Sequence, residues 1–206
     1  QLGAILSVVV LYWKRFLTNP EVLKRVGAAF LPTAIIGFAF YKIIKRFLLG
    51  NSDIVIWSLF LGGLFLILFE LFHREEENAV SEIALISYRQ AAIIGLFQSI
   101  AMIPGVSRSA ATIIGGLALG LRRDVIVEFS FLLAVPTMLA ATLFDLYKNA
   151  GLIDQDQFML LGVGFIISFV VAILAIKFLI SFIKRHSFIP FGIYRILVAL
   201  AAWIIV

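Results

Sequence analysis

The chain has 206 residues, 63% of them hydrophobic and 14% charged, with a formal net charge of +5 and a mean hydropathy of +1.11. A soluble domain is about half apolar and about a quarter charged, so this composition excludes an ordinary soluble fold. The absence of cysteine excludes disulfides and thiolate metal sites, and the basic excess reads as cytoplasmic loop bias, not as a nucleic-acid surface.

Several apolar runs reach the roughly 18 residues that cross a bilayer as a helix. Closed barrels are the other spanning solution, but these runs are continuous and lack the alternation of barrel strands. The fold class is therefore all-α: a multi-pass transmembrane helical bundle. The first run, 1–13, ends at Lys14-Arg15. It begins abruptly and without Met, which suggests that the chain opens inside a longer protein. A second span covers about 23–41, with Pro32 inside it and Lys42, Lys45 and Arg46 after it. A third, about 54–72, ends at His73-Arg74. Residues 73–89, "HREEENAVSEIALISYR", are the most polar stretch and read as a cytoplasmic linker, with the acidic run 75–77 solvated. A special segment, 90–121, follows. Three more spans complete the chain: 124–147 with Pro136, 158–183 after the loop "KNAGLIDQDQ", and 188–206 after Lys184-Arg185-His186. Asp145, Asp154 and Asp156 fall on the sparsely charged face and read as solvated. Neither His73 nor His186 has metal-ligand spacing to a partner.

Segment 90–121 is too long for one helix and too short for two full spans, and "IPGVS" breaks it near the middle. If it enters and returns, one side of the membrane holds Lys14, Arg15, Lys24, Arg25, Arg74, Arg89, Arg122, Arg123, Lys184 and Arg185. The other side then holds Lys42, Lys45, Arg46 and Lys148, ten against four. If it crosses, the division is seven against seven. The positive-inside rule favours the re-entrant hairpin, with the ten-residue side cytoplasmic. The whole chain, 1–206, then reads as one membrane domain built of inverted-topology repeats. Residues 1–72 are the remainder of a first repeat, 73–89 the linker and 90–206 the second repeat, with a first hairpin expected upstream of Gln1.

"IPGVSRSAAT", 103–112, carries the chemistry. A helix restarting at membrane depth offers free N–H groups and the positive end of its dipole. Ser107 and Ser109 add hydroxyls beside the Gly105 turn. Arg108 adds a full charge on a fork suited to phosphate oxygens, and Thr112 lies one turn on, on the same face. Gly115, Gly116 and Gly120 read as positions for close helix packing. An arginine at this depth needs a partner. Arg108, Ser107, Ser109, Thr112 and Gly105 thus read as a phosphate or pyrophosphate pocket inside the membrane. The plainer alternative is an arginine bonded to the carbonyls of a broken helix. Gln98 reads as a pocket donor or as a helix–helix hydrogen bond. Glu128 reads either as a pocket residue or as the partner of Arg122 or Arg123. Lys177 and Arg195 lie within spans but near polar ends, where snorkelling explains them, although Tyr194-Arg195 could reach a lipid head group.

"PGVSRSAATIIGG", "EFSFLLAVPTMLAATLFDLYK" and "IKRHSFIPFGIYRILVA" resemble the bacterial undecaprenyl-pyrophosphate phosphatase family, also known as the bacitracin-resistance protein. The opening "QLGAILSVVVLYWKRF" is similar to that family's segment after its first hairpin, and the resemblance covers nearly the whole chain. Where many relatives have Ser-Arg-Ser-Gly, this chain has Ala110. The resemblance implies a plasma (inner) membrane enzyme with two re-entrant hairpins. Such an enzyme releases the terminal phosphate of a polyprenyl pyrophosphate lipid for cell-wall synthesis, assisted by a divalent cation, magnesium or calcium. It implies that Arg108 and Ser107 stand at the catalytic centre, Arg108 clamping the pyrophosphate with Ser107 and Ser109 beside it, and that Ser109, Thr112 and Gly105 hold phosphate. The family's Glu-rich and Ser-Ser-Thr-Gly-His motifs do not occur here. The chain is therefore expected to hold the anion clamp without the attacking group, to hydrolyse little alone, and to name no metal ligand. The main alternative is a transporter or flippase for a phosphorylated polyprenyl lipid, since half-helix anion sites serve transporters too. A type 2 phosphatidic acid phosphatase needs a catalytic histidine downstream of its Ser-Arg pair. Here the only later histidine is His186, in a loop beyond another span.

Overall fold

The computed structural model describes residues 1–48, 50–75, 78–149, 157–183 and 186–205, and the side chains of these except 16–18, 45, 47, 149, 157 and 158. Glu76, Glu77, Asp154, Asp156, Lys184 and Arg185 lie outside the described residues. Among the described residues eight α-helices follow one another: α1 Leu2–Thr18, α2 Pro20–Ile43, α3 Ser52–Phe72, α4 Tyr88–Ile100, α5 Arg108–Ala118, α6 Arg123–Asn149, α7 Gln157–Ile183 and α8 Ile189–Ile205. Their starts are written in short polar residues. Asn19 accepts from the Glu21 amide ahead of Pro20, Asn51 from the Asp53 and Ile54 amides, and Ser87 forms a capping box with Gln90. Among the described residues four helices are long and apolar enough to cross a membrane: Pro20–Ile43, Ser52–Phe72, Arg123–Lys148 and Met159–Ile183. The expected all-α multi-pass bundle is the observed fold.

Helices α4 and α5 have 13 and 11 residues. At 1.5 Å per residue each is roughly 20 Å or less, short of the ~30 Å hydrocarbon core. They run antiparallel. Gln90 in the first turn of α4 donates to the Leu119 carbonyl at the end of α5 (3.0 Å), and Gly115 of α5 lies against the Phe97 ring of α4. The chain before α4 also runs beside the chain after α5, through Val80 N–H to Gly120 O (2.9 Å) and Arg122 N–H to Val80 O (3.0 Å). The segment therefore leaves at the end where it entered. Its tip is the turn 101–107, with Gly105 at φ +90°. Helix α5 closes in a Schellman motif, with Gly120 at φ +77° and bonds from Leu121 N–H to Gly116 O and from Gly120 N–H to Leu117 O. Gly120 is thus a turn glycine, not the packing position expected from the sequence; a Cβ there would meet nothing within 4 Å.

The packing has a pairwise order. Helix α1 contacts α7 and α2 contacts α6; α1 also contacts α6, and α3 contacts α8. Exchanging α1 with α6, α2 with α7 and α3 with α8 maps this set onto itself. The exchanged helices run in opposite directions: Arg15 at the end of α1 meets Glu128 at the start of α6, and Trp57 near the start of α3 meets Trp203 near the end of α8. An inverted repeat produces this pattern. The hairpin packs on α2 and α6, the former at very short range: a side chain at Gly95 would strike the Ala29 backbone. The core gathers on α6, where Ile126, Phe129, Leu132 and Leu133 are wholly buried. Helix α7 instead exposes Met159, Leu160, Ile166 and Leu174, as a lipid-facing helix does.

Ion pairs mark one end of the bundle. Arg15 pairs with Glu128 (2.6 Å), Arg123 with Glu70 (2.8 Å), Arg25 with Glu21, and Arg122 with Asp124 (3.1 Å). At the opposite end Lys148 donates to the Tyr41 hydroxyl (2.7 Å). This division agrees with the re-entrant reading. Because the chain lacks cysteine, single substitutions test it. Arg89→Cys and Arg122→Cys are expected to react with a membrane-impermeant maleimide from the same side, and Asp53→Cys from the other. Reaction of the first two from opposite sides would mean that 90–121 crosses.

Candidate active site

The break between α4 and α5 follows from its residues. Pro104 cannot donate a backbone hydrogen bond, and Gly105 takes a left-handed conformation (φ +90°) that a side chain resists. A Cβ there would also come within 2.5 Å of the Val55 carbonyl on α3. Helix α5 restarts with Ser107 as N-cap, its Oγ accepting from the Ala110 amide (3.3 Å). The first amides of a helix have no intrahelical partner. Here they sit beside the paired hydroxyls of Ser107 and Ser109, 3.1 Å apart, at the positive end of the α5 dipole.

Ser107 and Ser109 line a cavity of about 220 Å³. Ser130, Tyr194 and Arg195 add polar groups, and Phe131, Leu179, Phe188 and Phe191 are among its apolar walls. Arg108 is not part of this wall. Its Nη1 donates to Thr137 Oγ1 on α6 (2.7 Å), and Thr137 in turn donates to the Leu133 carbonyl (2.8 Å), beside Pro136 within the helix. The arginine thus has a side-chain partner on α6. A guanidinium has five donors, so one bond to Thr137 leaves a fork able to meet phosphate oxygens.

Three expectations from the sequence change in the structure. Thr112 is wholly buried, and its hydroxyl meets Ser130 Oγ at 2.6 Å. It joins α5 to α6 and does not face a ligand. Glu128 pairs with Arg15, while Arg122 and Arg123 take Asp124 and Glu70; spacing along the chain could not reveal a partner on α1. Arg195 does not snorkel. Its Nη2 donates inward, to Ser58 O (3.1 Å) and Gly105 O (3.0 Å). Lys177 is exposed on α7, as snorkelling requires. Gln98 takes the helix–helix role: it is 2% exposed and donates to Thr33 Oγ1 on α2 (3.1 Å). His73 stacks on Phe69 and His186 on Phe182, at centroid distances of 4.8 and 4.3 Å. Ser130 was missed: a lone serine in an apolar span gives no sign of its partner until α5 and α6 are packed.

A larger space, about 560 Å³, lies at the ion-paired end among Glu70, Glu75, Arg122, Arg123, Asp124 and His186. Its charges are largely committed to one another. Val127 and Ile183 border both spaces. The smaller one is the better candidate, because the Ser107, Ser109 and Ser130 hydroxyls, Arg195 and the α5 start converge there. Among the described residues no three His, Asp or Glu side chains gather to hold a metal ion.

Fold and site together define a polytopic helical membrane protein whose broken hairpin carries hydroxyls and arginine into the bundle interior. The sequence profile described as "Bacitracin resistance protein BacA" matches residues 1–201. The undecaprenyl-diphosphatase of Sulfurihydrogenibium sp. (strain YO3AOP1) is 52% identical over 200 residues, and that of Aquifex aeolicus (strain VF5) 50% over 200, each alignment covering 97% of this chain and 78% of the relative. The undecaprenyl-diphosphatase of Persephonella marina (strain DSM 14350 / EX-H1) is 51% identical over 197 residues, 96% of this chain and 77% of its own length. The chain belongs to the BacA family.

The Thr112–Ser130 bond has a measurable consequence. Thr112→Val leaves a buried hydroxyl unpaired, at a cost of about 1–3 kcal/mol. It is expected to lower the thermal midpoint without weakening lipid-pyrophosphate binding. Lost affinity at unchanged stability would return Thr112 to the binding site.

Proposed function

We propose that this chain acts at the α5 start as an undecaprenyl-diphosphate phosphatase of the bacterial plasma (inner) membrane, converting undecaprenyl pyrophosphate to undecaprenyl phosphate. Membership of the BacA family, whose relatives above are named undecaprenyl-diphosphatase, supports the reaction. The observation that carries the site is the helix start at membrane depth, where Ser107, Arg108 and Ser109 follow one another on the hairpin. The apolar cavity beside it suits the first part of a prenyl chain, which gains free energy from leaving water but not from leaving lipid. Position, not tail affinity, is what this site supplies.

In the reaction the bond from the terminal phosphorus to the bridging oxygen breaks. The bridging oxygen leaves with the lipid monophosphate, and the oxygen of water ends on the released phosphate. Charge spreads over the equatorial oxygens of the transferred group in the transition state. Arg108 answers that charge with a fork already oriented by Thr137. The Ser107 and Ser109 hydroxyls and the first α5 amides are donors that need little reorganisation. These residues bind and stabilise; none is assigned as the base. A divalent cation sharing the pyrophosphate charge is in keeping with a phosphatase. The described residues gather no ligand set for it.

In a protein that carries this chain together with the family's Glu-rich and Ser-Ser-Thr-Gly-His motifs, Arg108→Ala is expected to lower phosphate release from undecaprenyl pyrophosphate by about 10²–10³-fold. Arg108→Lys, which keeps the charge but not the fork, should fall between. Phosphate assayed in detergent micelles decides. An unchanged rate in Arg108→Ala would sink the assignment. Movement of the intact lipid across liposomes, blocked by the same variant without hydrolysis, would support a transporter instead.

A further inference from the structure

Arg195 sits on α8, a helix that contributes nothing to the hairpin's own chain. One nitrogen of its guanidinium, Nη2, bonds two backbone carbonyls at once: Ser58 O on α3 (3.1 Å) and Gly105 O in the hairpin turn (3.0 Å). Each Nη carries two hydrogens, so these bonds use both. The two carbonyls differ in need. A turn inside a membrane protein has carbonyls that no helix satisfies, and lipid offers no substitute. Gly105 O is such a group, two residues before the α5 cap.

The fold makes room for this arm. A side chain at Gly62 of α3 would collide with the Arg195 guanidinium, and one at Gly63 would approach Gly192 O of α8 within 2.7 Å. Helices α3 and α8 thus meet closely at small residues, with the arginine stem laid across them. Arg195 also lines the cavity that holds Ser107 and Ser109. Its Nε is buried with no protein partner.

We propose that Arg195 is a positioning residue for the phosphate site: it clamps the hairpin turn against α3 and so sets where Ser107, Arg108 and Ser109 stand. The inference rests on the reading of the α5 start as the phosphate site. Its mode of action is separate from that of Arg108, whose partner is Thr137 on α6. One arginine holds the turn and the other faces the charge. A misplacement of about 1 Å in a preorganised site costs about 10²-fold in rate, so a clamp on backbone can matter as much as a direct contact.

The test uses the full chain in lipid nanodiscs with two readouts: hydrogen exchange of the peptide 101–110, and affinity for undecaprenyl pyrophosphate. Arg195→Ala is expected to speed exchange of the turn by about tenfold or more, the loss of a charge-assisted bond, while peptides of α3 and α6 stay protected. Lipid affinity should fall alongside, and Arg195→Lys should restore part of both. Turn exchange identical to wild type in Arg195→Ala would overturn the proposal, including the case where affinity alone is lost and Arg195 touches the lipid directly. If Arg195→Ala exchanges fast throughout, Arg195→Lys decides: loosening confined to 101–110 supports the clamp, and loosening of every helix refutes it. Arg108→Ala separates the two ideas. Unchanged lipid affinity in that variant removes the phosphate reading while leaving the Arg195 exchange result intact.

Discussion

The constraint on which the rest depends is that backbone broken at membrane depth must find hydrogen-bond partners inside the protein. A continuous helix satisfies itself; a hairpin whose two arms are each too short to cross does not. Its open groups are met from three directions. Ser107 caps the second arm from within. Arg195 reaches the turn carbonyl of Gly105 from α8. Gln90 closes the other end by bonding Leu119 O. The unsatisfied amides that remain at the α5 start are what a bound anion can use. The cost of breaking the chain and the binding of phosphate are one problem seen from two sides.

The surrounding helices serve this arrangement. Helix α6 is the most buried span and supplies both Thr137, which orients Arg108, and Ser130, which ties down Thr112. Helix α2 supports the first arm through the close contact at Gly95 and the Thr33–Gln98 bond. Helices α3 and α8 pack as an antiparallel pair and between them hold the arm of Arg195. Charges are sorted accordingly. Acids and bases that pair with each other sit at one end of the bundle. The two inward arginines are instead bonded to a hydroxyl and to carbonyls. Neither meets a carboxylate among the described residues, which leaves the charge of Arg108 available to a polyanion.

Part of the site was legible because it is local. The Pro-Gly break, the capping serine and the arginine following it are consecutive, and their chemistry follows from backbone rules that need no neighbour. Thr112 misled for the same reason. Its spacing places it one turn from Arg108 on the same helix, but a helix face can look toward a ligand or toward another helix, and only packing says which. Glu128 and Arg195 misled differently. A charged residue near the end of an apolar span has two outlets, water or the interior, and hydropathy is the same for both.

The sequence by itself determined the class of fold, the order of the apolar helices, the re-entrant hairpin and the basic end of the bundle. All of these are set by apolar run length, by helix-breaking residues and by charge count, which are properties of consecutive residues. The tertiary structure alone decided the partners: Arg15 for Glu128, Ser130 for Thr112, Thr137 for Arg108, and the turn carbonyl for Arg195. Those bonds join residues from 18 to 113 positions apart, and no periodicity connects them. They exist because antiparallel helices with small residues at their crossings bring distant polar groups within 3 Å in a medium that offers no water to replace them.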